Sequence, residues 1–310
     1  MTDRIPFRVR PMLATLVKKP LDKDGWVYEE KYDGYRILAY KEGSRVTLLS
    51  RNGNDRTTIF SGIAEAVAKF SRRTLLLDGE VVAFDSHRVS RFQLLQNSQV
   101  EPSYAVFDCL YNNGRDLRAA PLTERREALK TAVGKTSAKR GRIFVSRRLA
   151  TNGLKAFQIA KKNGYEGVLA KDASSPYIQG RSNKWLKFKV HQEDEFLIVG
   201  YTPPAGARQH FGALLLGAYH RDELRYVGKV GTGFDRRTLA QLFRKFQSLA
   251  RQKPAVADPP REKGVVFLAP RLVAQIAYEE LTEDKKLRQP VYLGLRDDKR
   301  PQDVTLPEVR

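Results

Sequence analysis

The sequence has little that could cross-link or anchor it. Its one cysteine, Cys109, excludes an internal disulfide and fits a reducing compartment. Cys109 lies in an apolar run and is expected to be a small core residue. Four histidines, His87, His191, His210 and His220, are scattered without zinc-ligand spacing. Any metal should therefore be a hard cation held by carboxylates and phosphate oxygens. Apolar runs are short, and even Gly212–Ala218 is far too brief to span a bilayer. Met1 to Arg10 holds no apolar stretch of the kind a secretory signal needs. Internal repeats and low-complexity tails are also missing. Acidic residues are scarce, at 35 against 56 basic ones, for a net charge of +21 and a pI near 10.0. That surplus implies a polyanionic partner, most simply nucleic acid, with a membrane surface as the alternative. The rest of the composition, 41% hydrophobic and 29% charged over 310 residues, suits a globular chain long enough for two cores.

Strand-like and helix-like segments alternate irregularly from Trp26 to about Val190. Val46–Ser50, Leu75–Leu77, Val81–Phe84 and Tyr104–Phe107 are apolar or β-branched runs bounded by turns, and read as strands. Ile59, Ile63, Val67 and Phe70 recur at helical spacing, as do Ala128, Leu129 and Val133. A third helix holds Leu154, Phe157 and Ala160 and ends at Gly164, a suitable C-cap. After Val190 the pattern changes to short strands: Glu195–Tyr201, Phe211–Tyr219, Leu224–Val230, Val265–Phe267 and Leu272–Tyr278. Asp235 caps a helix whose apolar face is Leu239, Leu242, Phe243, Phe246 and Leu249, and a proline-rich loop spans Lys253–Gly264. Short strands around one helix suit a small β-barrel such as an OB-fold. The expectation is an α+β chain of two domains, 1–190 and 191–310, with a hinge near Val190 to Glu193.

The chemistry is concentrated at Glu29-Glu30-Lys31-Tyr32-Asp33-Gly34-Tyr35-Arg36, after a strand-like Gly25–Tyr28. Alone, this segment reads as a hairpin with a charged rim, because Asp-Gly is a strong turn signal. Five further segments follow in order. Ser50-Arg51-Asn52-Gly53 ends a strand, Asp78-Gly79-Glu80 sits between two apolar strands, and Phe107-Asp108 closes another. Glu166–Lys171 leads into a strand, and Trp185–Lys189 places two lysines on one strand face. Each alone is a common solvated feature.

Together, and with Arg296-Asp297-Asp298-Lys299 near the carboxy end, these segments resemble the covalent nucleotidyltransferase superfamily. Within it they are similar to the ATP-dependent DNA ligases, above all to the ligase domain of the bacterial end-joining enzyme ligase D. The likeness runs from about Pro11 to Val304. It implies an ATP-grasp-like nucleotidyltransferase domain of antiparallel sheets and helices, followed by an OB-fold domain. It makes Lys31 the nucleophile that takes AMP from ATP. That role needs a free amine, which Lys187, Lys189 and a divalent Mg²⁺ or Mn²⁺ would favour by like-charge repulsion. By the same resemblance Glu29 contacts the adenine and Phe107 stacks on it. Arg36, Arg51 and Arg181 belong to the nucleotide site, and Glu80 and Glu166 are ribose or metal ligands. Arg296 and Lys299 reach the β- and γ-phosphates when the second domain closes, then retreat to release pyrophosphate. Asp33 has even standing as turn residue or site residue. Asp297 and Asp298 stand equally as loop or ligand contacts, and Lys171 is expected to pair with a nearby carboxylate.

The implied polymer is nicked duplex DNA, bound without sequence readout. The phosphate contacts would come from Lys135, Lys139, Arg140, Arg142, Arg147 and Arg148, and from Arg236, Arg237, Arg244 and Lys245. Thirty residues precede Lys31, too few for a separate DNA-binding domain. The chain therefore reads as a minimal monomeric ligase, or one domain of a larger protein, that binds nicks weakly without a partner. A DNA-end-binding protein of the end-joining apparatus would be such a partner. The expected setting is the bacterial cytoplasm and nucleoid, in DNA repair and recombination by non-homologous end joining, with no membrane association. Two rivals share some features. An RNA ligase or a capping guanylyltransferase shares K-x-D-G, although Ser50–Gly53 and the R-x-D-K end favour the DNA ligase. A non-catalytic basic OB-type DNA-binding protein ranks lower, because no motif is degenerate.

Overall fold

The structure, a computed structural model, describes residues 5–17, 19–96, 100–134, 142–190, 192–206 and 208–306. Contacts divide the chain after Val190 into two compact units. In the first, the elements run β1 (Met12–Leu16), β2 (Trp26–Lys31), β3 (Tyr35–Glu42), β4 (Arg45–Ser50), α1 (Ser61–Ala68), β5 (Thr74–Val82), α2 (Phe92–Leu95), β6 (Ser103–Asn112) and β7 (Arg115–Asp116). They continue with α3 (Leu122–Val133), β8 (Ile143–Val145), β9 (Arg148–Ala150), α4 (Gly153–Asn163), β10 (Gly167–Asp172) and β11 (Gly180–Lys189).

These strands form two sheets, one in the order β1-β11-β10-β2-β9 and one in the order β4-β3-β5-β6-β7 with β8 on β6. Pairing is antiparallel except for β1 with β11 and β6 with β8. Alternation along each strand decides what faces what. Ile37 and Ala39 of β3, with Leu75 and Leu77 of β5, pack under Ile63 and Val67 of α1 and Leu129 and Val133 of α3. Cys109 sits in the same core, where burial pushes its thiol up to about 12. The intervening Leu38, Tyr40 and Leu76 turn the other way and meet Met12 of β1 and Trp185 of β11 across the gap between the sheets. On the far side of the first sheet, Tyr28, Val168 and Phe188 bury Ala156 and Ala160 of α4. Asn152 caps that helix through Lys155 N–H, and Gly164 closes it at φ +70°.

Two local expectations fail for one reason, that strand pairing is not local. The Asp33-Gly34 segment makes no hairpin: β2 pairs with β9 and β10 while β3 pairs with β4 and β5, so the chain crosses here from one sheet to the other. Asp78-Gly79-Glu80 does not separate two strands either. It lies inside the single strand β5, paired on both sides by β3 and β6.

The second unit holds β12 (Gln192–Tyr201), β13 (Leu214–His220), β14 (Glu223–Val230), α5 (Arg236–Phe246), β15 (Ala250–Arg251), β16 (Val266–Tyr278), β17 (Glu280–Leu281), β18 (Leu287–Arg288) and β19 (Val291–Leu295). Its main sheet runs β14-β13-β12-β16-β15, with β19 on β16. The two strands expected around Val265 and Leu272 are one long strand, β16. The Asp235 carboxylate accepts from Thr238 N–H to start α5, and Leu239, Leu242 and Phe246 anchor that helix in the core. No helix among the described residues is long and apolar enough to cross a membrane.

Candidate active site

The residues that face the gap between the two sheets of the first unit carry most of the predicted chemistry. Lys31 ends β2, and its ammonium is ion-paired with Glu166, which immediately precedes β10. Lys31 lies opposite Gly167, which brings the neighbouring Glu166 within reach. The second Glu166 oxygen is buried with no hydrogen-bond partner. Burial works against the Glu166 carboxylate, but Lys31, then Lys189 and Lys187, outweigh it and hold the group below its ordinary range. Lys187 and Lys189 thus face the same place from β11, as their shared strand parity requires. The direct partner of the Lys31 amine is nevertheless a carboxylate.

Glu29, two residues back on the same strand face, is fully buried. It is bound by Arg126 of α3, by Lys171 Nζ at 2.9 Å and by Ser146 Oγ at 2.9 Å. Burial would raise its carboxyl, and Lys171 and Arg126 reverse that shift. Lys171 does find a carboxylate, and it also lies 4.2 Å from the ring centroids of both Phe107 and Trp185. Arg36 covers Phe107 as well, at 4.5 Å, while Asp78 grips its guanidinium through Oδ1 and, at 2.7 Å, through Oδ2. Tyr177 O–H donates to the same Asp78 oxygen at 2.6 Å. Glu80 lies on β5 opposite Arg36 of β3, and Arg51 follows β4 with its N–H donating to the Arg36 carbonyl at 3.1 Å.

Asp33 and Gly34 hold this geometry. The Asp33 carboxylate accepts from Phe92 N–H at 2.9 Å, and its own N–H donates to Ser90 Oγ at 3.0 Å. Gly34 is there for close approach, since a Cβ would lie 2.1 Å from the Val81 carbonyl oxygen. Arg181 is exposed and donates to the Ala14 carbonyl at 2.9 Å. Arg296 and Lys299 belong to the second unit. There Asp298 takes Arg296 bidentately, at 2.8 and 2.9 Å, and Glu195 takes Lys299 at 2.9 Å.

Sequence reasoning missed the Arg126 and Ser146 contacts to Glu29, and Glu166 as the partner of Lys31. Arg126 had left a signal. It lies four residues after Leu122 and three before Leu129, on the apolar stripe of α3, where an arginine has to find a buried anion. Lys135, Lys139 and Arg140 lie outside the described residues.

Carboxylate oxygens are the donors a hard divalent cation requires, and the unpartnered Glu166 oxygen fits one. Among the described residues no group of three or more acidic, histidine or cysteine side chains forms a metal cage. A cation here would draw its remaining ligands from phosphate and water, as Mg²⁺ commonly does.

Both units have counterparts among known proteins. The family model for the ATP dependent DNA ligase domain matches residues 11–189, and that for the ATP dependent DNA ligase C terminal region matches 207–299. The chain is 39% identical to the multifunctional non-homologous end joining protein LigD of Pseudomonas aeruginosa, covering 97% of this chain and 37% of that protein. It is 35% identical to the protein of the same name from Mycolicibacterium smegmatis, covering 96% of this chain and 40% of that one. It therefore spans about two-fifths of the length of these relatives. Among solved structures, mycobacterial DNA ligase D complexed with ATP and MES matches with a TM-score of 0.73 at 33% identity, covering 98% of this chain and 100% of that one.

Proposed function

We propose what this chain does from one premise: it belongs to the ATP-dependent DNA ligase family. Its fold is a nucleotidyltransferase domain followed by an OB-fold domain. The proposed activity is adenylation of Lys31 by ATP, then transfer of AMP to the 5′-phosphate of a nick in duplex DNA and closure by the 3′-hydroxyl. End joining in bacteria is the proposed setting, with a DNA-end-binding protein as partner. The observation that carries this reading is the Lys31 amine at the end of β2, paired with Glu166 between two sheets lined by cations.

In the first step Lys31 gives up its proton to solvent and leaves its ion pair with Glu166. The freed nitrogen bonds to the α-phosphorus, the bond to the bridging oxygen breaks, and pyrophosphate leaves. Lys187 and Lys189 supply fixed positive charge where charge grows on the phosphate oxygens. Arg36, Arg51 and Arg181 hold ribose and phosphate, and Arg296 and Lys299 take the leaving β- and γ-phosphates. Glu29 and Phe107 form the adenine end, with Glu29 oriented by Arg126, Ser146 and Lys171. Glu80 and Glu166 would hold a Mg²⁺ or Mn²⁺ ion, whose chemistry is to neutralise charge at the α-phosphate.

The test is intact mass after incubation with Mg²⁺ and either ATP or GTP. A gain of one AMP that Lys31→Ala abolishes is the expected result. No adduct, or a GMP adduct, overturns the reading. Nicked duplexes ending in 3′-deoxy or 3′-ribo termini then report the polymer.

A further inference from the structure

Strand register in the second unit assembles a compact charge cluster that the proposed reaction leaves unexplained. Glu195 of β12 lies opposite Gln275 of β16, which in turn lies opposite Gly294 of β19, two residues before Arg296. Gln275 Oε1 accepts from Arg296 Nη1 at 3.0 Å, and Gln275 Nε2 donates to Glu193 at 3.0 Å. Arg296 Nε and Nη2 donate to the two oxygens of Asp298. One oxygen of Glu195, Oε1, then faces two cations at once: Lys299 Nζ at 2.9 Å and Arg296 Nη1 at 3.9 Å. An anionic oxygen held between an ammonium and a guanidinium occupies the place a phosphate oxygen would take in their company.

We propose that Glu195 is a positioning residue that competes with phosphate for Lys299 and Arg296, so that it weakens the grip on the triphosphate tail of ATP and on pyrophosphate. This rests on the reading of Lys299 and Arg296 as the phosphate-binding pair. Glu195 and Asp298 offset the positive charges of Lys299 and Arg296. A phosphate oxygen that engages Lys299 has to share its ammonium with Glu195 or displace it. The contact is open to solvent in part, with 17% of the Lys299 and 32% of the Glu195 side-chain surface exposed, so a phosphate oxygen can approach it. The consequence for turnover is that pyrophosphate, which must leave after adenylation, meets a carboxylate that replaces it.

The test uses the full chain and two ligands, ATP and inorganic pyrophosphate. In Glu195→Gln, the KM for ATP in adenylation falls about three- to fivefold. The pyrophosphate concentration that half-strips AMP from the adenylated protein falls by a similar factor. The effect on kcat is smaller than that on KM. In a Lys299→Met background the same substitution no longer tightens pyrophosphate, because the cation it releases is gone. Glu195→Ala should act with the same sign and carries the test if the glutamine variant folds poorly. Unchanged or weakened pyrophosphate action in Glu195 variants overturns the inference, as does tightening that persists without Lys299. Failure of the wild-type chain to take up AMP at all would instead overturn the proposed adenylation.

Discussion

Glu30 sits beside Lys31 in sequence and on the opposite face of its strand. Arg147 donates to one of its oxygens at 2.7 and 3.2 Å, and the other oxygen is buried without a partner. Burial is the largest influence and Arg147 offsets it only in part, so the carboxyl is pushed up to about 7 from an ordinary 4.5. The sign of the stability effect follows. Between those two values the folded protein keeps a proton that the unfolded chain releases, so this contribution is full below about 4.5 and is lost as pH rises through about 7. Glu30→Gln keeps the shape and removes the ionisation. The variant should match the wild type near pH 4.5 and exceed it by roughly 1–3 kcal/mol near pH 8. Urea unfolding of both proteins at the two pH values measures this, and a difference independent of pH would refute it.

At the scale of elements, the decisive feature is the crossing from β2 to β3, which carries Lys31 in one sheet and Arg36 in the other. Gly34 makes it possible by letting the backbone pass against the Val81 carbonyl. Gly34→Ala must push β3 and β5 apart, and overpacking of this kind costs typically ~1–3 kcal/mol. A lower Tm is expected, together with an adenylation rate at least tenfold below wild type in protein that is still folded. A normal rate would show that the crossing tolerates movement. The sequence announced the elements here better than their partners. Helices α4 and α5 were legible down to Gly164 and Asp235, because caps and apolar spacing are local. The sheet change at Asp33-Gly34 was hidden, because a turn signal says nothing about which strand pairs with which. Glu166 as the partner of Lys31 was hidden for the same reason, since it depends on the pairing of β2 with β10.

At the scale of the whole molecule, the question is where the surplus of +21 can act. Some of the positive charge in the first unit is spent internally: Arg36 on Asp78, Arg125 on Asp108, Arg126 and Lys171 on Glu29, Arg147 on Glu30. Helix α5 is different. Its outer face presents Arg236, Arg237, Arg244 and Lys245, all exposed and none in an ion pair among the described residues, and the helix itself contains no acidic residue. A broad face of exposed cations, anchored from beneath by Leu239, Leu242 and Phe246, suits phosphates along a backbone better than base edges in a groove. If these four side chains contact DNA phosphates, each lost contact should flatten the dependence of log affinity on log salt by about 0.9. Replacing all four with glutamine should therefore make the slope for a nicked duplex shallower by roughly 2 to 4, and equally so on two nicks of unrelated sequence. Fluorescence anisotropy across a salt series reads the slope. An unchanged slope would move the DNA-binding surface off this helix, and a loss confined to one sequence would mean that α5 reads bases after all.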